Sequence, residues 1–332
     1  MLRLAVKQEL PYDLTIVTVC RNALHFLPRC IASVQPLYDT PLKVEHLIID
    51  GASTDGSVAY LWCQQHAGRI TRFISEADDG IYHAMNKGIN LSRGKVLVFI
   101  NADDEICPGA VQACCLPVLN GAAQYSVAST LCIGKKKQLR HPRLENALWR
   151  QPYCHQAMYC SRELLVKMGG FDAVSFPIGA DTDLMRRLYI QHIPCAVVPV
   201  VAARFHEGGV SSTAATHHDV YELMLKFADG CRREIQHHPS LVGPIVKHLR
   251  RYANKKIMQS DFPALRWKDS SRMMRFMKSV SAPLNNWQRF ILQCWLRAQI
   301  CWYAVLSYCS FGRKRRSSRL NLEICSLFAN CI

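Results

Sequence analysis

Residues Ser75 to Asp104 read SEADDGIYHAMNKGINLSRGKVLVFINADD. An acidic loop with a glycine leads into a short helical pattern, then a turn, then the buried-strand run VLVFI. Two aspartates close the strand. Open α/β sheets bind ligands at the carboxyl ends of their strands, so polar and acidic groups there mark a candidate site. Hard divalent cations such as Mg²⁺ or Mn²⁺ favour oxygen ligands, and two adjacent carboxylates repel unless a cation or water lies between them. Asp103 and Asp104 are therefore candidate metal ligands. Lys87, on the helical segment, is placed to counter a diphosphate.

The chain on the amino-terminal side supports an α/β reading. Thr15 to Val19 (TIVTV) is a β-branched run and reads as a first buried strand. Leu24, Leu27, Ile31 and Val34 then recur at helical spacing. Val44 to Asp50 reads as a second strand, and the loop GASTDGS follows it, with Ser53 or Thr54 expected to cap the next helix. Ile70 to Ser75 and Lys95 to Ile100 supply a third and a fourth strand. Strands alternating with helices imply parallel pairing and a sheet covered on both faces. Asp50 is open to two readings, a turn aspartate or an acceptor for a nucleotide base or ribose. The loop itself does not choose.

On the carboxyl side, PYCHQAMYC (152–160) precedes a helical pattern and GGFD (169–172). His155 taken alone reads as a structural histidine. Gly179 to Leu184 (GADTDL) reads as the start of a helix, with Asp181 as its cap and Asp183 in its first turn. Pro199 to Phe205 is a further apolar strand, and His206 at its end also reads as structural.

Charge is distributed unevenly. The chain of 332 residues carries a formal +16, yet Ile245 to Leu320 holds 17 Lys and Arg against Asp261 and Asp269. A neutral domain followed by a basic segment suggests an anionic surface as partner. Within that segment Phe290 to Phe311 is apolar and about 33 Å long if helical, enough to span a bilayer. Arg297 near its centre would cost roughly 2.5–3.5 kcal/mol on insertion. A helix lying in the membrane face, flanked by Lys and Arg, is the favoured reading. The aromatic residues do not alternate with basic ones, so no nucleic-acid partner is expected. The sixteen cysteines include no CxxC pair, and no apolar signal core begins the chain. Reduced thiols and a cytoplasmic location at the inner face of the membrane are expected.

Taken in order, TVCRN, IIDGASTDGS, SEADDGIYHAMNKGI and FINADD resemble the inverting family 2 glycosyltransferases of GT-A fold, of the bacterial surface-polysaccharide type, over roughly residues 13 to 210. The resemblance implies a Rossmann-like, mostly parallel sheet flanked by helices, in a domain spanning 1–215 with a donor half (1–110) and an acceptor half (111–215). Residues 216–332 would form a helical, basic extension. It implies a nucleotide-sugar donor, with UDP the commonest nucleotide, a glycan or lipid-linked glycan acceptor, and Mn²⁺ or Mg²⁺. Val19, Arg21, Asp50, Asp79, Asn86, Lys87 and Asn101 match donor-binding positions. Asp103 matches the metal-contacting carboxylate, and Asp104 is a second candidate. Asp181 matches the base that deprotonates the acceptor. The sequence departs from the family pattern at Asn101, where aspartate is common, and at Ala180, where glutamate is. The rival reading is a non-catalytic basic protein that acts on nucleic acid or membrane through its tail.

Overall fold

The computed structural model describes residues 11–147 and 151–208. The chain divides into two units, Met1–Met224 and Leu225–Ile332, and every described residue lies in the first. The basic segment and Phe290 to Phe311 lie outside the described residues.

The described chain runs β1 (Tyr12–Cys20), α1 (Leu27–Val34), β2 (Val44–Asp50), α2 (Ser57–His66), β3 (Arg72–Ser75), α3 (Ile81–Leu91) and β4 (Gly94–Asn101). It continues through β5 (Glu105–Ile106), α4 (Pro108–Leu119), β6 (Tyr125–Ile133), β7 (Lys137–Arg140), β8 (Met158–Ser161), α5 (Arg162–Lys167), α6 (Ala180–Ile190) and β9 (Cys195–His206). The strands form one sheet in the order β3-β2-β1-β4-β8-β6-β9-β5, with β7 beside β6. β3, β2, β1 and β4 are parallel, as are β6 and β9. β8 runs against both of its neighbours. Among the described residues no α-helix lies between β6 and β8, and a parallel pairing would need such a crossover.

Alternation along β1 explains the two covered faces. Leu14 and Ile16 join Val96 and Val98 in a core closed by Cys30 and Val34 of α1 and by Val111 and Cys114 of α4. Val17 points the other way, onto α3. A Cβ added at Gly88 would stand 2.4 Å from Val17 Cγ1, so α3 lies directly on the strand there. Each fully buried Leu, Ile or Val contributes roughly 1.5–3 kcal/mol. The ten cysteines among the described residues are free, and seven of them are buried.

One local expectation changes. α2 begins at Ser57 behind Gly56, whose φ is +94°, and Ser57 N donates to Asp55 Oδ1 at 3.0 Å. Ser53 and Thr54 do not cap it; they are tied to Asp50 and Asn22 instead. Along α3 the buried stripe starts at Tyr82, and Ile81 is exposed.

Candidate active site at the strand ends

The parallel strands stop in a row. Ser75 pairs with Asp50, Asp50 with Cys20, and the preceding residue Val19 with Asn101. Strand order reverses direction at β1, with β2 and β3 on one side and β4 on the other. This switch point between β1 and β4 is where an open sheet leaves a crevice.

Asp50 is fully buried and saturated. It accepts from Ser53 N at 2.9 Å, Ser75 Oγ at 2.6 Å, Cys20 Sγ at 3.5 Å and Ser53 Oγ. It ties the end of β2 to the end of β3, as a turn aspartate does, and would meet a nucleotide only by exchanging one of these donors. The loops after β1 and β2 are cross-linked by Asn22 N to Ser53 Oγ at 2.7 Å and Thr54 N to Asn22 Oδ1 at 2.8 Å. Arg21 is exposed beside them and Val19 is buried. The acidic loop folds over this corner, since a Cβ on Gly51 would lie 2.6 Å from Asp78 Oδ2. Lys87 holds the loop through Ala77 O at 2.8 Å and Glu76 Oε1 at 2.9 Å. Asp79 is exposed. Asn86 is committed elsewhere: its amide donates to Phe171 O at 2.7 Å and accepts from Phe171 N at 2.9 Å. It clamps α3 to the GGFD turn.

After β4 the three acidic side chains diverge. Asp103 is half-buried, and its carbonyl accepts from Arg29 Nη2 at 2.7 Å. Asp104 is fully buried, accepting from Gln156 Nε2 at 2.7 Å and His206 N at 2.9 Å. Burial, and then the charge of Asp103, push its carboxyl up to about 7. Glu105 takes the His206 ring at 2.8 Å. Asn101 Oδ1 is buried with no hydrogen-bond partner among the described residues. No group of three His, Cys, Asp or Glu among those residues is arranged to hold a metal. The orphaned Asn101 oxygen and the Asp103 carboxylate are hard oxygen donors, the type that Mg²⁺ or Mn²⁺ prefers. Asp104 and His206, turned to other partners, do not join them.

A second acidic centre stands at the start of α6. Asp181 accepts from the Tyr82 hydroxyl at 2.9 Å, Gln151 Nε2 at 2.9 Å, Thr182 N at 2.8 Å and His155 Nδ1 at 3.2 Å. Burial alone would raise its carboxyl, but His155, Tyr82 and the Thr182 amide outweigh burial and hold it below the usual carboxylate range. Asp181 is not the helix cap. Gly179, at φ +87°, fills that position. Asp183 faces Arg186 at 2.9 Å and Arg187 at 2.7 Å. His155 and Gln156, adjacent in one 3₁₀ turn, join the two centres, His155 to Asp181 and Gln156 to Asp104.

Residues 15–177 match the family model for glycosyl transferase family 2. That stretch is a family 2 glycosyltransferase domain. A glycosyltransferase of Mycobacterium tuberculosis is 29% identical over 208 residues, 60% of this chain and 76% of its own. The PGL/p-HBAD biosynthesis glycosyltransferase of Mycobacterium bovis is 26% identical over 208 residues, 60% and 79%. The crystal structure of residues 1–349 of S. aureus TarS, in complex with UDP-GlcNAc, superposes with a TM-score of 0.66 at 13% identity. It covers 92% of this chain and 93% of that one. That likeness places the sheet and its helices in the GT-A fold. The protein is thus a glycosyltransferase, and the reading as a non-catalytic basic binder gives way.

For this family 2 glycosyltransferase, sequence reasoning missed the residues that surround the Asp181 carboxylate. Tyr82 lies inside the GIYHAMNKG segment, where its spacing marks it only as a helix residue. Gln151 carries no local signal. His155 and Gln156 were visible as an HQ pair, but their two carboxylate partners lie 26 and 52 residues away.

Proposed function

We propose that the protein transfers a sugar from a UDP-sugar to a hydroxyl of a glycan or lipid-linked glycan, with inversion, in bacterial polysaccharide assembly. The observation that carries this is the His155–Gln156 turn. It fixes a buried, ionised Asp181 beside the acidic end of β4, so donor and acceptor chemistry share one short span of chain. Val19, Arg21 and Asp79 line the donor crevice, with Lys87 at its acidic loop. Asn86 and Asp50 shape it from behind. TarS was crystallised with UDP-GlcNAc, which favours a UDP-sugar here. The mycobacterial relative named for PGL/p-HBAD biosynthesis supports a place in glycan biosynthesis.

Inversion needs one displacement at the anomeric carbon and one base. The base site at Asp181 receives the acceptor hydroxyl proton as that oxygen bonds to the anomeric carbon. The bond to the nucleotide diphosphate breaks with its electrons on the departing phosphate. A divalent cation at Asp103 and Asn101 Oδ1 would offset the charge on that diphosphate.

Thermal melting with UDP-, GDP- and TDP-sugars, with and without Mn²⁺, tests the reading. A UDP-sugar at about a hundred times its Kd should stabilise by about 2.7 kcal/mol, a rise of roughly 5–10 °C. The Mn²⁺-dependent part should vanish in Asp103→Ala. If no nucleotide sugar shifts the melt, the proposal fails.

The basic segment would bring the site to lipid-linked acceptors at the inner leaflet, since each Lys or Arg near an anionic surface is worth about 1 kcal/mol. Flotation with anionic liposomes should be lost when residues after 285 are deleted. Undiminished flotation would remove the membrane role.

A further inference from the structure

Residues 134–143, GKKKQLRHPR, hold Lys135, Lys136, Lys137, Arg140 and Arg143 with no Asp or Glu among them. Outside Ile245 to Leu320 the chain is nearly neutral, so this run concentrates positive charge within the described domain. It forms the turn after β6 and the strand β7, and every residue from Gly134 to His141 is exposed. Among the described residues, Lys135, Lys136, Lys137 and Arg143 enter no ion pair. One acid, Glu207, lies against Gly134.

The pairing of the strands sets this hairpin beside the crevice. β9 lines one edge of β6 from Tyr125 to Ile133, so β8 and β7 share its other edge. The strand beyond β8 is β4, so the free edge of β7 faces the β4 side of the sheet. β8 runs against both β4 and β6, which makes those two parallel. The turn after β6 therefore leaves the carboxyl edge of the sheet, where Asp103 stands.

Two links fix it there. Ile133 pairs with His206, whose amide donates to Asp104 at 2.9 Å. Arg140 Nη1 reaches Gln151 Oε1 at 3.4 Å, and Gln151 Nε2 donates to Asp181 at 2.9 Å. From Arg140 back to Lys137 is about 10 Å of strand. The unpaired lysines thus begin a short way along the edge from the network that holds the base.

We propose that the β6–β7 hairpin binds phosphate carried by the acceptor glycan, while an acceptor hydroxyl reaches Asp181. The inference rests on the sugar-transfer reading and makes its acceptor anionic. Ammonium groups free of carboxylate partners are ready donors to phosphate oxygens. Placement favours the acceptor over the donor. The donor crevice opens between β1 and β4, whereas the hairpin flanks β4 from its other side, where Gln151 leads to the base. Lysine on an edge strand also discourages pairing between sheets. That role alone predicts aggregation, and no change in acceptor affinity, when the charge is removed.

The test uses the full chain and two fluorescent probes, GlcNAc joined to a short alkyl chain through a diphosphate and GlcNAc joined to it directly. Binding is read by fluorescence anisotropy, with UDP and Mn²⁺ present to fill the donor crevice. The diphosphate probe should bind about tenfold tighter or more, and the gap should shrink as salt rises. The triple variant Lys135→Gln, Lys136→Gln, Lys137→Gln should lose most of that gap, with its UDP-GlcNAc affinity and melting temperature unchanged. These side chains are exposed, so the fold should tolerate the change, and the basic segment is common to both proteins. A gap that survives in the variant would overturn the proposal. So would a fall in UDP-GlcNAc affinity, which would give the hairpin to the donor. Loss of flotation on phosphatidylglycerol vesicles without probe would overturn it too, and give the hairpin to the membrane. Failure of every UDP-sugar to bind would instead sink the sugar-transfer reading, a result separate from the probe gap.

Discussion

Asp181→Asn is expected to reduce sugar transfer by about 10²–10⁴-fold while leaving the UDP-sugar thermal shift in place. The change is nearly isosteric, so its effect isolates charge and hydrogen-bond polarity. Asp181 receives four short hydrogen bonds, from Tyr82, Gln151, Thr182 and His155. An amide can accept at one end only. Its NH₂ end would face either Tyr82 and Thr182 or Gln151 and His155, and every one of these now donates. If it faces His155, the bond that orients the ring is lost. If it faces Tyr82, the bond that ties α3 to α6 is lost. A removed partner of a buried charged group costs about 1.5–3 kcal/mol, so some loss of stability should accompany the loss of rate.

The linkage sign also follows. Asp181 has a depressed folded pKa. Its contribution to stability is present above the unfolded carboxylate value of about 3.9 and is lost as pH falls through the lower folded value. Asparagine should therefore cost stability at neutral pH and little under strong acid. Measuring kcat and KM together with the melting profile checks both. A variant with unchanged kcat would remove Asp181 from the chemistry altogether.

The central strands were legible because β1, β2 and β4 are runs of β-branched and apolar residues buried on both faces. Such runs need no partner to be recognised. Their boundaries in the structure, Tyr12–Cys20, Val44–Asp50 and Gly94–Asn101, contain the runs read from sequence. The second half was harder for a physical reason. β8 and β7 are four residues each and β5 is two, too short for a period to appear. Pairing with non-local neighbours makes them strands, and no local pattern reports that.

The site divides in the same way. Asp103, Asp104 and Asp181 were visible as acidic groups at element ends. Which of two adjacent aspartates turns inward is set by contacts with β9 and with Gln156, distant in sequence. The family resemblance of its segment places Asn86 at the donor site. The structure spends both ends of its amide on the backbone of Phe171, and a Cβ at Gly170 would stand 2.5 Å from Asn86 Oδ1. Together with the bond from Tyr82 to Asp181, this ties α3 both to the GGFD turn and to the start of α6.

Asp104→Asn is expected to stabilise the protein at pH 8 by up to about 4 kcal/mol, with the gain vanishing near pH 4. The carboxyl is fully buried and receives two hydrogen bonds, from Gln156 and the His206 amide. Those bonds do not offset burial together with the neighbouring charge of Asp103, and its pKa rises to about 7. In the unfolded chain it stands near 3.9. Between these values the folded state binds a proton that the unfolded state has released, so stability falls as pH rises across the window. Below about pH 4 both states are protonated and the penalty disappears. Above about 7 it is complete, roughly three pK units at 1.36 kcal/mol each. Asparagine keeps the shape without the charge. Its oxygen accepts from His206 N, and its NH₂ meets Gln156 once that amide turns its oxygen inward. Denaturant unfolding of both forms at pH 5, 6, 7 and 8, with chelator present to keep cations from Asp103, measures the gap directly. The difference should open steadily with pH. A constant difference would mean that the ionised carboxylate is fully compensated, and that Asp104 is held by more than the two donors seen around it.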